Sequence, residues 1–225
     1  MLNFSKKMSL NSDVFVLFIN EKGNFIDRSK NLKEAISLKI KSYIKQKQKK
    51  KNIDEVFSLD IDEKTKCFLI KVSNKNNDCH YEKLGARTFS LLKPLKIINK
   101  LDFYFDSLDF KKENLISFAT KFIHGFNLKS YSFIKYKTDQ KDKYKKTHFR
   151  KISLITQYSK DIKQISNYYN AVEEGVFLTR DLVSEPPNVL TPKAYMKEIK
   201  KLSKLGLKIK VYDEKQMKKL GLNAL

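Results

Sequence analysis

Residues 184–192 read S-E-P-P-N-V-L-T-P and hold three of the chain's four prolines. Pro186 and Pro187 remove two successive backbone donors and fix φ, so no helix or central strand can pass through them. This segment divides the sequence. Before it, residues 161–184 form one long helical pattern. Ile165, Tyr168, Val172, Val176 and Leu182-Val183 make its apolar stripe, with Glu173-Glu174 expected on the opposite side. After it the chain is expected to run extended and to open a helix at Thr191-Pro192. Threonine is a good N-cap, and proline is favoured at the first helical position. Met196, Ile199 and Leu202 follow, and Gly206 stands at the end of that helix. L-K-I-K-V-Y at 207–212 predicts a strand, and Asp213 caps a last short helix. One strand and two helices over some 40 residues cannot bury their own faces, because a core that small is marginal.

Upstream of this region the pattern is an alternation of strands and helices. Residues 2–10 are a weak strand, and D-V-F-V-L-F-I at 13–19 is a continuous apolar run, as in a strand covered on both faces. Leu32, Ile36, Ile40, Tyr43 and Ile44 recur at helical spacing, and the K-Q-K-Q-K-K-K tail at 45–51 suits a solvated helix end. Residues 55–61 and 66–72 form a hairpin around Asp62-Glu63-Lys64. A helix over 81–92 stops before Pro94, and a strand follows at 101–105. The helix from Glu113 to Phe126 aligns Leu115, Phe118, Phe122 and Phe126, with Gly125 near its end. A further strand spans 149–156. The fold class is therefore α/β with a mixed sheet over 1–160, followed by a connecting helix and the start of a second α/β unit over 161–225.

Lys+Arg exceeds Asp+Glu by 22 charges in 225 residues. Such a balance invites a nucleic-acid or anionic-surface reading. The kind of cation tempers it, since Arg28, Arg87, Arg150 and Arg180 are the only arginines. Base and phosphate readers favour the planar guanidinium fork. Lysine spread over every element reads as compositional bias that still gives salt-sensitive, sequence-blind adhesion to polyanions. No stretch approaches the roughly 18 apolar residues of a membrane span. M-L-N-F-S-K-K-M-S-L lacks the apolar core and cleavage site of a secretory signal, so a cytoplasmic location is expected.

Candidate chemistry is sparse. Cys67 and Cys79 are expected as free thiols. Cys79-His80 falls short of the four ligands of a zinc site, and His124 and His148 have no carboxylate or thiol beside them in sequence. Asp60, Asp62 and Glu63 fall in the hairpin turn. They and Glu173-Glu174 are poor metal-ligand candidates. The expectation is that no catalytic and no metal-binding residue lies in this chain; nucleic-acid-binding residues are not identified. No two of the six glycines form a phosphate-binding loop.

R-D-L-V-S-E-P-P-N-V-L-T-P at 180–192 closely resembles a segment of the cytosolic leucyl aminopeptidase family. The resemblance extends to Ala171, Gly175 and Leu178, to V-Y-D-E-K-Q-M-K-K-L-G-L-N-A-L at the end, and more weakly to G-F-N-L-K-S-Y-S-F-I-K-Y-K-T at 125–138. It implies a macro-like α/β domain over 1–160, a long connecting helix, and an incomplete beginning of the catalytic domain by 225. The family is hexameric and releases N-terminal residues from peptides with two divalent metals, manganese or zinc. Motifs resembling G-K-G-x-T-F-D and N-T-D-A-E-G-R, which carry its metal and catalytic residues, are absent from this sequence. The resemblance therefore implies an N-terminal portion, inactive alone and binding no metal itself, with a separate chain carrying the catalytic half as a possible partner. The alternative is a basic nucleic-acid-binding module derived from the same domain.

Overall fold

The computed structural model of the chain describes residues 2–6, 12–27, 32–49, 55–75, 77–95, 98–138 and 149–222. The chain separates into two compact units, 1–176 and 177–225.

The first unit is built on a six-stranded mixed sheet. Its strands are β1 (Leu2–Ser5), β2 (Val14–Ile19), β3 (Val56–Asp60), β4 (Lys66–Lys71), β5 (Ile98–Tyr104) and β6 (Phe149–Ile155). They lie in the order β1-β6-β5-β2-β4-β3. All neighbours run parallel except β3, which returns antiparallel on β4 as the predicted hairpin. Residues 7–10 of the predicted first strand lie outside the described residues. Central β2 is buried at all six positions, as its unbroken apolar run requires of a strand covered on both sides.

Helix α1 (Glu34–Gln48) covers one face. Ile40 and Ile44 pack there with Phe15, Leu17, Cys67 and Leu69. Helices α2 (Asp78–Leu92) and α3 (Lys112–Ser130) cover the other. That core is aromatic. Phe18 stacks on Phe105 at 4.8 Å and meets the edges of Phe118 and Phe122 at 4.9 and 5.2 Å. Helix α2 begins three residues earlier than its apolar spacing indicates, because the Asn77 side chain accepts from His80 N at 2.9 Å and caps it.

Gly125 is not a helix terminus. α3 runs five residues past it, and the residue serves close packing. A Cβ at Gly125 would lie 1.9 Å from the Glu82 carbonyl oxygen, and one at Gly85 would lie 1.9 Å from the Phe122 carbonyl oxygen. The two helices touch backbone to backbone at these points.

Helix α4 (Ser159–Ser184) is the predicted long helix. Its burial is the reverse of the expected pattern. Ile162, Ser166 and Glu173 are the buried positions, while Ile165, Tyr168 and Val172 are exposed, Tyr168 at 68%. A 3.6-residue period identifies a stripe but not what it packs against, and here the polar stripe faces inward.

The second unit starts within the last turns of α4. The double proline does not run extended: it makes a turn in which the Pro186 carbonyl accepts from Val189 N and Leu190 N, both at 2.9 Å. Proline's fixed φ suits the first central position of such a turn. Helix α5 (Pro192–Lys201) follows, with Thr191 capping Ala194 N at 3.3 Å. A 3-10 turn (Leu202–Leu205) ends at Gly206 in the left-handed region, φ +87°. Residues 207–212 form no strand. They have no ladder partner among the described residues, and a lone segment has nothing to pair with. Helix α6 (Glu214–Lys219) is closed by a capping box between Asp213 and Gln216. No helix among the described residues is long and apolar enough to cross a membrane.

Gly125→Ala should lower the stability of the first unit by about 1–3 kcal/mol or more, through overpacking against backbone that cannot step aside. Gly175→Ala, where an added Cβ meets nothing within 4 Å, should instead raise it by about 0.5–1 kcal/mol through helix propensity. Thermal or urea unfolding of the two variants checks both signs.

Candidate functional site

The acidic residues flagged by sequence do not converge. Asp60 pairs with Lys66 at 3.2 Å. Asp62 Oδ1 accepts from the backbone N–H groups of Lys64 and Thr65 at 2.8 and 2.7 Å. Those donors hold its carboxyl below the usual carboxylate range. Both residues close the β3–β4 hairpin. Glu173 and Glu174, expected side by side on the outer face of their helix, part company: Glu173 is buried and Glu174 exposed. Asp102, fully buried in β5, accepts from Ser12 Oγ, and its Oδ1 has no hydrogen-bond partner. It is a solitary carboxylate.

Among the described residues no group of three or more His, Cys, Asp and Glu side chains could hold a metal ion. The donors among the described residues do not fit a two-metal centre, which needs several carboxylates converging on each pair of ions. Cys67 is buried, and burial pushes its thiol pKa well up; Cys79 is exposed. His80 sits at the start of α2 with its Nε2 2.9 Å from Glu55 Oε1. His148 lies outside the described residues.

A buried polar constellation in the first unit joins α3 to α4. His124 Nδ1 lies 2.8 Å from Glu173 Oε1, and Asn127 Nδ2 donates to Glu173 Oε2 at 3.0 Å. With a carboxylate as acceptor, Nδ1 carries the proton. The His124 ring packs on Tyr169 at 4.7 Å. Lys121 Nζ stands 5.1 Å from the Tyr169 ring centroid and pairs with Asp78 at 3.3 Å and Glu82 at 3.6 Å. Tyr169 first and Asp78 second raise the Lys121 pKa, so it stays charged. Burial raises the Glu173 pKa, and the bonds from His124 and Asn127 only partly offset this.

Sequence reading missed this set. His124 and Glu173 are 49 positions apart, so adjacency in the chain could not reveal them. A signal was present in two polar stripes at helical spacing: Lys121, His124 and Asn127 on α3, and Ser166, Tyr169 and Glu173 on α4. The cluster's chemistry is cohesive rather than catalytic. Glu173 has both oxygens engaged, and α4 buries only one hydrophobic side chain, Ile162. A hydrogen-bonded ionisable pair thus does much of the fastening that apolar contact does on α1 to α3.

The second unit has a different character. None of the residues of α5, the 3-10 turn or α6 is buried. Val183 and Leu205 are 81% and 77% exposed, and Leu207, Val211, Leu220 and Leu222 are also open to solvent.

Residues 177–225, the same span as this unit, match the family model described as the cytosol aminopeptidase family, catalytic domain. A probable cytosol aminopeptidase of Agrobacterium fabrum is 41% identical over 108 residues, 48% of this chain and 22% of that protein. One from Phytoplasma mali is 40% identical over 105 residues, 46% of this chain and 21% of that protein. A mutant of tomato leucine aminopeptidase superposes on 98% of this chain and 46% of its own, with TM-score 0.74 and 18% identity. The bottromycin maturation enzyme BotP, in complex with Mn, covers 93% of this chain and 40% of its own at TM-score 0.61 and 17% identity. The chain therefore spans about half the length of the tomato enzyme, and its alignment about a fifth of the curated relatives.

The buried pair sets a pH dependence. Glu173 in the folded chain holds its proton above the ordinary value of 4.5, so the folded state binds protons more tightly than the unfolded state. Its contribution is greatest below pH 4.5 and is lost as pH rises through the raised value. Glu173→Gln should remove that dependence at little cost near pH 7. His124→Ala, which strips a partner from a buried carboxylate, should cost about 3 kcal/mol. Unfolding midpoints from pH 4 to 8 for both variants measure the contrast.

Proposed function

We propose, from the match of residues 177–225 to the cytosol aminopeptidase family's catalytic domain, that the chain supplies the N-terminal domain and the opening elements of the catalytic domain of a leucyl aminopeptidase. The activity is metal-dependent release of N-terminal residues from peptides. The observation that carries this reading is the match of residues 177–225 to the catalytic domain, reached through a fold that aligns along almost the whole chain. Residues 1–160 act as the macro-like domain, and 161–225 as the connecting helix and start of the catalytic layer.

The reaction needs two divalent ions, manganese or zinc, and the residues described here do not form their site. No catalytic step is assigned to a side chain of this chain. Its role is to carry and position the layer on which the metal-binding sequence is completed, in the cytosol and within the family's hexamer. The nucleic-acid reading rests on net charge alone, and the lysine-dominated composition gives no feature of base or single-strand recognition.

Purified residues 1–225 should release no leucine from a leucyl amide with manganese or zinc, and the same chain joined to the remaining catalytic sequence should do so in a chelator-sensitive way. Robust metal-dependent hydrolysis by residues 1–225 alone would overturn the assignment. A continuous chromogenic assay with and without chelator reads both.

A further inference from the structure

Four polar residues of α4 fall at the spacing that a helix ordinarily gives to its core face. Lys163, Ser166, Asn167 and Asn170 stand at i, i+3, i+4 and i+7. With Asn127 of α3 they form one wall of a cavity of about 420 Å³. Small-molecule sites occupy about 300–1,000 Å³. The opposite wall is apolar. Leu2 and Phe4 alternate along β1, Leu2 is the register partner of Ile152 on β6, and all three pack at the rim of the aromatic core.

Neither of the simpler uses of a helix face accounts for this arrangement. A helix that only closed the core would set apolar side chains against Leu2, Phe4 and Ile152. A face that only met solvent would not bury a hydroxyl. Ser166 is 7% exposed and makes no hydrogen bond among the described residues. The bonds that hold Glu173 engage His124 and Asn127 but not Ser166, Asn167 or Asn170. Water can satisfy the helix wall, yet it leaves the facing apolar wall wetted.

Among the described residues no carboxylate lines the cavity, and Lys163 is its one charged side chain. Lys163 makes no ion pair among the described residues. The ammonium, the hydroxyl and the carboxamide NH2 groups are all donors. A single cation among neutral donors, facing an apolar wall, selects a monoanion with an apolar body. We propose that this cavity binds a small monocarboxylate with a compact apolar tail. Its carboxylate is held by Lys163 and the Ser166 hydroxyl, and its tail lies on Leu2, Phe4 and Ile152. The carboxamide oxygens of Asn167 and Asn170 accept from an α-amino group where the acid carries one, so a free apolar amino acid and the corresponding plain acid share the site. Every residue involved belongs to the first unit, and the proposal is independent of the aminopeptidase reading.

The test follows assigned backbone amide resonances and the thermal unfolding midpoint of residues 1–225 during titration with 4-methylpentanoate and with L-leucine, at fixed ionic strength. Shifts should centre on residues 2–4, 152 and 163–170, with a Kd of about 1 mM or tighter for at least one of the two acids. The midpoint should rise with ligand concentration. 4-Methylpentanamide, the same body without the charge, and acetate, the charge without the body, should each bind about 10-fold or more weakly. Lys163→Gln, at an exposed position, should weaken binding about 10-fold and leave the unliganded midpoint unchanged. Ser166→Leu should abolish binding by filling the cavity; if that variant does not fold, Asn170→Leu fills it from an exposed position.

Failure of both acids to bind would overturn the proposal and assign the cavity to water. Equal binding of acetate or of the amide would also overturn it, as would shifts spread over the lysines of the whole chain or unchanged affinity in both Lys163→Gln and Asn170→Leu. Those results would describe unspecific contact with a chain of net charge +22 rather than a site.

Discussion

Gly85 and Gly125 let α2 and α3 meet without side chains between them, and much of the first unit follows from that contact. Each glycine faces a carbonyl oxygen of the other helix at a distance no Cβ could tolerate. The close approach fixes α3 against α2 in position and rotation. With α3 so placed, Phe118, Phe122 and Phe126 enter the aromatic layer above β2 and β5. The same rotation turns Lys121, His124 and Asn127 toward α4. A backbone-level contact between two helices thus decides where a third helix finds its polar partners.

The two units manage the same chemistry in opposite ways. The first encloses a central strand on both faces and engages both oxygens of buried Glu173 through His124 and Asn127. The second caps its helices well, with Thr191 and Asp213, yet encloses nothing. Local structure there is determined by short-range signals, and tertiary structure is not. Capping and turn geometry need only neighbours in sequence, whereas a core needs a facing layer.

That contrast also explains what could be read from the residues. Strands β2, β4 and β6, the β3–β4 hairpin and helices α1 and α3 were legible, because each carries a strong period and a local boundary. The failures share one cause. The stripe Ile165, Tyr168 and Val172 has the spacing of a buried face of α4, but hydrophobic periodicity does not say what a stripe packs against. The actual partner of that helix is a polar row on α3, 49 positions from His124 to Glu173. Gly125 looked like a helix end because glycine favours that position, while its reason was the Glu82 carbonyl on another helix. Residues 207–212 had the pattern of a strand, but a strand is a relation between two segments. The resemblance read from 180–192 lies inside residues 177–225, the segment that matches the cytosol aminopeptidase catalytic-domain model.

Lys208 and Lys210 bear on a hazard that every unpaired alternating segment carries. Without charge, Leu207, Ile209, Val211 and Tyr212 would be well suited to stacking with identical chains in cross-β fibrils. In-register stacking would instead pile ammonium groups about 4.8 Å apart along the fibril axis, one column for each lysine. These two side chains therefore act as gatekeepers, discouraging self-templated aggregation of the segment.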